Sequence, residues 1–304
     1  MRTRINAAIG LFTVAGSLIF WLMPVILFRF YGTTGFTQGT LRVIVWLYAA
    51  LMLPAVICIK RHVPDRPSAR TIAPTLRDLA RSLKQNRPLA LYFLAIALWG
   101  TGQGIWFSTT FLFLNDYLRV GSMFPLIMIV FFLSTIAAIP LWGGAERRME
   151  RHVLWAISMI LSALTRPLAL LPAPGMHSLP FIMLLTAAGG ALSAPANFMP
   201  YAILADVIDY DIWKTGTSKS STLYALNTLI TKTALAMGSG AGFIILGWVH
   251  YHAGQANHGL PLTGLLLCYT VICSIPQLIA AMIIFYFPIG RHAHTLIRHC
   301  LNRR

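Results

Sequence analysis

The chain has 304 residues, of which 57% are hydrophobic and 11% charged, with a mean hydropathy of +0.70. Soluble chains are about 45–50% apolar and about 25% charged, so this composition excludes a water-soluble globular enzyme, and its hydrophobicity excludes disorder. Twenty-four Lys and Arg against 8 acids give a formal net charge of +16. On a soluble domain that excess would point to nucleic acid. Here the cations gather in a few connections between apolar runs, so we read them as membrane topology and expect no nucleic-acid partner.

Apolar runs fall at 7–28, 43–59, 88–114, 121–144, 153–172, 178–205, 221–249 and 260–288. A spanning helix needs roughly 20 apolar residues, so these runs predict an all-α polytopic membrane protein with about eight transmembrane helices, embedded in a lipid bilayer. The first run follows Arg2 and Arg4 and exceeds the roughly 7–15 residues of a signal-peptide core. No small-x-small cleavage site closes it, and it reads as an uncleaved first span.

Four regions follow. Residues 1–59 form two spans, 60–87 a basic connection, 88–290 a six-helix bundle and 291–304 a basic tail. The connection carries Pro64, Pro67 and Pro74. Its Leu76, Leu79 and Leu83 share a helical face, with Arg77, Arg81 and Lys84 elsewhere on the wheel; this stretch reads equally as an amphipathic helix on the membrane surface or as a solvated linker. Nineteen cations lie on the side of both termini and 3 on the other. The positive-inside rule places both termini in the cytoplasm, and short loops without a cleaved signal fit a bacterial inner membrane.

Catalytic signatures such as HExxH, GxSxG and the phosphate-binding GxxxxGK[ST] are missing, and no enzyme activity is expected. Gly100, Gly102 and Gly104 alternate inside a span, where glycine permits close helix packing. The four cysteines lack metal-like spacing. The pairs His250/His252 and His292/His294 have no neighbouring carboxylates, so neither a metal site nor an organic cofactor is expected.

Polar groups within the spans carry more information, because a cation at a helix centre costs at least about 2.5–3.5 kcal/mol. Lys232 lies about 16 Å into the run 221–249, at about 1.5 Å per residue. Ser221, Thr228 and Ser239 share its face and Tyr224 flanks it. This polar stripe reads as the wall of a water-filled path or as an arrangement that fixes helix packing. Arg166 lies nearer the outer membrane surface, within reach of snorkelling, and reads as a structural residue. Gln103 sits among hydroxyls between Trp99 and Trp106, a combination suited to stacking on a polyhydroxy ring and bonding its hydroxyls, and equally to inter-helix packing. Asn197 precedes an expected kink at Pro200. Asp206, Asp209 and Asp211, with Tyr210 among them, end a span where the helix dipole favours cations. Lys214, Lys219 and the turn holding Arg147 and Arg148 share that side of the membrane, so the acids read either as a charge latch between conformations or as solvated interfacial groups.

The run from Ala205 to Gly238, ADVIDYDIWKTGTSKSSTLYALNTLITKTALAMG, resembles the signature of the glycoside–pentoside–hexuronide:cation symporters. The matching elements are Ala205-Asp206, Asp209-Tyr210, Trp213-Lys214-x-Gly216, and Tyr224 with Lys232 eight residues on. MRTRIN and the helix it opens resemble the start of the family's fifth helix, the basic connection its central loop, and Gly100–Gly104 the start of its seventh helix. The resemblance implies an N-terminally truncated major facilitator superfamily fold, with two helices of the N-half and a six-helix C-half. It implies a secondary active symporter for a small polar solute, a sugar, working by alternating access and coupled to Na⁺ or H⁺. The family draws its cation site from acids on helices two and four, so no coupling site is identifiable here. Lys232 matches the family's functional lysine. The expected substrate path is Lys232, Tyr224, Thr228, Gln103, Trp106 and Asn197; the expected cytoplasmic gate is Asp206, Asp209, Tyr210, Lys214, Arg147 and Arg148. The alternative is a non-transporting remnant or a partner subunit of the same fold, its missing helices supplied by a second copy or another chain.

Overall fold

The computed structural model describes residues 2–27, 30, 37–62, 85–216 and 219–290, with 295, 297 and 299 of the tail; for residues 2–9 it describes the backbone alone. Leu76, Leu79, Leu83 and their basic neighbours, and His292 and His294, lie outside the described residues, as does most of the tail.

Every regular element among the described residues is helical. In chain order they are α1 (Arg2–Ile26), α2 (Gln38–His62), α3 (Arg87–Leu112), α4 (Phe124–Ala145), α5 (Arg151–Thr165), α6 (Leu179–Ser193), α7 (Met199–Thr215), α8 (Ser220–Trp248), α9 (Leu260–Leu267) and α10 (Ser274–Phe285). Short turns fuse α6 with α7 and α9 with α10, so that seven continuous helices are long and apolar enough to cross a membrane. The apolar part of α1, Gly10–Ile26, is a shorter apolar helix than these seven. The chain is a multi-pass membrane protein.

Local chemistry explains where helices start and stop. Asn86 caps α3 by accepting a hydrogen bond from the Leu89 amide at 3.1 Å, and Pro88 follows where a missing N–H is harmless. Gly216 ends α7 with a φ of 70°, the left-handed conformation that glycine adopts without a Cβ clash. That end lies beyond the acids. Asp206 and Asp209 are therefore inside α7 and not at its C-terminus, and its last turn carries Lys214, as the dipole prefers. The expected kink also moves. The break between α6 and α7 is a 3₁₀ turn over Ala194–Asn197, a turn earlier than Pro200, because Pro195 already removes a helical N–H there.

Helix α3 is central, packed against α8 on one side and α10 on the other. Glycine makes the first contact possible: a Cβ on Gly238 would lie 2.1 Å from the Thr101 carbonyl oxygen, and one on Gly104 2.2 Å from that of Leu235. Backbone-to-backbone approach of this kind is how membrane helices gain dispersion energy without a hydrophobic driving force. The largest buried cluster holds Tyr92, Trp155, Phe198 and Leu204, joining α3, α5 and the α6–α7 break. Tyr92 is fully buried and its hydroxyl bonds the Pro200 carbonyl at 3.0 Å and Asn227 Oδ1 at 2.9 Å, tying α3 to α7 and α8. Helix α1 packs on α4 and on the α6–α7 break, where a Cβ on Gly10 would lie 2.9 Å from the Asn197 carbonyl oxygen. Helix α2 packs on α1 and is otherwise almost wholly exposed.

Candidate functional site

Three irregular turns converge on one cavity. They are the 3₁₀ turn Arg166–Leu170 that ends α5, the turn Ala194–Asn197, and the π-turn Cys268–Ile272 between α9 and α10. Arg166, Asn197 and Tyr269 from these turns all line it. Within a membrane, backbone departs from the α-helix only where protein or a water-filled cavity surrounds it, and helix breaks at mid-membrane recur at binding sites of secondary transporters.

The cavity has a volume of about 350 Å³, within the roughly 300–1,000 Å³ typical of small-molecule sites. Trp99, Trp106, Phe107 and Phe131 supply aromatic surface. Gln103, Thr110, Thr135, Ser162, Thr186, Ser193 and Asn227 supply hydroxyl and amide groups. Thr13 and Val14 of α1 close one wall.

Arg166 faces inward and does not snorkel. It is 7% exposed. Its guanidinium donates to Gln277 Oε1 at 2.8 Å, Gln103 Oε1 at 3.3 Å, Cys273 Sγ at 3.2 Å and Ser274 Oγ at 3.5 Å, and it lies 5.5 Å from the centre of the Trp106 ring. Turning outward would strand Gln277, itself 1% exposed, without its charged partner. Lys232 lines the same cavity and its residue is exposed.

The end of the bundle that carries the 145–151 turn is built differently. Arg151 bridges Glu146, at 2.5 Å, and Asp206, at 3.0 Å, with all three side chains largely buried. Asp211 is 1% exposed and accepts a hydrogen bond from Asn86 Nδ2 at 3.0 Å. Lys214 reaches across to the Gln85 carbonyl at 2.5 Å. At the opposite end the Tyr251 hydroxyl donates to Asp116, which also accepts from the Gly254 amide at 3.1 Å. Burial and that carboxylate push the Tyr251 phenol above its ordinary pKa.

A family profile described as MFS/sugar transport protein matches residues 1–291. The chain belongs to this family. Among curated proteins it is similar to the uncharacterized symporter YnaJ of Bacillus subtilis (strain 168), 24% identical over 74% of this chain and 49% of that protein. It is similar to the glucuronide carrier protein homolog of Escherichia coli (strain K12), 24% identical over 71% of this chain and 47% of the other. A putative sulfoquinovose importer of the same E. coli strain is 25% identical over 54% of this chain and 33% of its own length. The chain spans about half the length of the first two of these relatives.

For this family member, Gln103, Trp106, Asn197 and Lys232 line the cavity. Tyr224 and Thr228 are not among the lining residues. Tyr224 packs against the main core, and Thr228 is exposed with its hydroxyl bonded to the Tyr224 carbonyl at 3.2 Å. The α8 residues that accompany Lys232 are instead Asn227, Thr231 and Leu235, one per turn and about one residue around the helix from the expected stripe. At the other end, Asp206 and Lys214 make the contacts described above, whereas the Tyr210 ring lies tilted against Trp213 at 5.9 Å and Asp209 is buried. Arg147 and Arg148 are exposed in their turn, and the bond to Asp206 comes from Arg151. Sequence reasoning did not bring Arg166 to the cavity or pair it with Gln277. An uncharged amide deep in an apolar run was the available signal for Gln277; nothing local signalled the inward turn of Arg166.

Proposed function

We propose that this chain forms the ligand-binding wall of a secondary transporter for a sugar, acting by alternating access in a bacterial inner membrane with its termini in the cytoplasm. The observation that carries this is the cavity at three helix breaks, where tryptophan faces and single hydroxyl and amide groups offer what a polyhydroxy ring needs: stacking for its C–H face and partners for its hydroxyls. Family membership and relatives named as symporters and sugar carriers support the reading. In this scheme Gln103, Trp106, Asn197 and Lys232 contact the solute. The Arg151 network is the latch that opens as the bundle rocks, with Asp206, Asp209 and Lys214 exchanging partners between states.

Uptake of labelled sugars into proteoliposomes tests it, with and without an Na⁺ or H⁺ gradient, alongside Lys232→Ala. Gradient-driven uptake abolished in the variant is the expected result. Folded protein that neither takes up nor binds any member of a broad sugar panel would sink the proposal.

A further inference from the structure

Arg166 is a buried cation whose paired edge is already taken. Its two terminal nitrogens donate to Gln277, Gln103, Cys273 and Ser274, and its Nε–H makes none of these bonds. Buried guanidinium groups are normally neutralised by carboxylates. The six acidic residues within the described regions all lie away from the cavity lining, which contains neither Asp nor Glu. Two more donors share this wall. The buried Trp106 indole N–H has no acceptor in hydrogen-bond geometry, and the Tyr269 hydroxyl donates to no described residue. The guanidinium carbon lies 5.5 Å from the centre of the Trp106 ring, and Tyr269 is within electrostatic reach of both side chains.

We propose that this wall binds one chloride ion, held by Arg166 Nε–H, Trp106 Nε1–H and the Tyr269 hydroxyl. The donor pattern favours a monatomic anion over an oxyanion. A carboxylate gains its advantage from two parallel bonds to a guanidinium edge, and the terminal nitrogens of Arg166 are occupied by protein acceptors. The firmest of these is Gln277. It accepts at 2.8 Å while its own amide donates to the Met159 carbonyl at 2.7 Å and Ser162 Oγ at 3.2 Å, so it fixes the guanidinium and is a positioning residue. Chloride has no preferred direction and takes single hydrogens from separate groups. Its charge is spread over a larger sphere than that of a carboxylate oxygen, so it loses less hydration on entering a wall built of aromatic rings. Phe113 is fully buried and stacks on Tyr269 with ring centres 4.0 Å apart, which holds the phenol in place. Lys232, on the same cavity, adds to the positive potential that draws an anion in. The ion supplies the countercharge that the acids of the bundle do not. It requires no particular solute in the rest of the cavity and stands or falls separately from the sugar reading.

The test uses the full chain in nanodiscs at constant sodium concentration and ionic strength. Chloride replaces methanesulfonate stepwise, acetate serves as the carboxylate probe, and the thermal unfolding transition is the readout. We expect chloride to raise the transition by about 2–4 °C along a saturating curve, and acetate to leave it in place. Trp106→Phe removes one donor and keeps a ring; Tyr269→Phe removes another and keeps the stack on Phe113. Each should raise the half-saturating chloride concentration at least about tenfold, the loss expected for a hydrogen bond to a charged group. Arg166→Gln should abolish the response, and if that variant fails to fold the two phenylalanine variants decide alone. Three results overturn the inference: a transition indifferent to chloride at fixed ionic strength, an acetate response as large as that of chloride, or a chloride curve unchanged in both phenylalanine variants.

Discussion

The two charged regions of this bundle obey opposite rules. At the end holding the 145–151 turn, Arg151 sits between Glu146 and Asp206, and Asn86 serves Asp211. In the cavity, Arg166 and Lys232 face no carboxylate among the described residues. Pairing a charge satisfies it and locks helices together; surrounding it with neutral dipoles keeps it in place and leaves its field available to a ligand. On the proposed function, the contrast separates residues that hold the structure from residues that would act on a solute, although all of them are polar groups in an apolar protein.

Removing each cation in turn is the sharpest way to break that comparison. Arg151→Met leaves two largely buried carboxylates facing each other, and should lower stability by about 3 kcal/mol, seen as an earlier unfolding transition in detergent. Asn86→Ala removes both the cap of α3 and the hydrogen bond to Asp211. It should cost about 1–3 kcal/mol, with faster hydrogen exchange at the start of α3 as the local signature. Tyr92→Phe deletes bonds to Pro200 and Asn227 and should cost about 1–2 kcal/mol, measured by the same unfolding transition. Arg166→Met, by contrast, leaves no carboxylate behind; it strands the buried Gln277 amide oxygen and should cost about 1–2 kcal/mol, less than the loss of Arg151. A large loss there would place Arg166 with the locking charges and erase the difference between the regions.

The smallest effect belongs to the far end. Tyr251→Phe should speed hydrogen exchange at the Gly254 amide, the other donor to Asp116, with little change in global stability. The sign of its pH dependence follows from the raised phenol pKa. The folded state holds the proton more tightly than the unfolded chain, so the contribution is complete below about pH 10, the ordinary tyrosine value, and is lost as pH climbs above it. The phenylalanine variant should show a shallower loss of loop protection over that alkaline range.

Much of the fold was legible along the chain. Hydropathy placed the spans to within a few residues except at Asp206–Thr215, where helix α7 continues through acids that read as its end. Those acids are tolerated because Arg151 and Asn86 approach them from other helices, which no pattern within the run reveals. The glycines at 100, 102 and 104 were read correctly as packing residues, since a missing side chain in an apolar helix has few other uses. Gln103, Trp106, Asn197 and Lys232 line the cavity, and they stand out along the chain because polar and aromatic groups are conspicuous in a span. Tyr224 and Thr228 were placed with them, and the register of α8 turned them away. Two exposures show how little burial follows from hydropathy: only 6% of the most apolar stretch of α2 is buried within the protein, against 50% for the span Arg87–Tyr117, although α2 is the more hydrophobic of the two.

By itself the sequence determined that this is a helical membrane protein, where its spans run and which family it resembles, because hydropathy is a sum over neighbours in the chain and a signature is a string. Only the tertiary structure decided the direction of Arg166. Its partners Gln103 and Gln277 lie 63 and 111 residues away, and the choice between facing lipid and facing a cavity depends on which helices those residues share a wall with. Short-range chemistry sets what each helix is; the meeting of distant helices sets which of its polar groups is left free to meet a ligand.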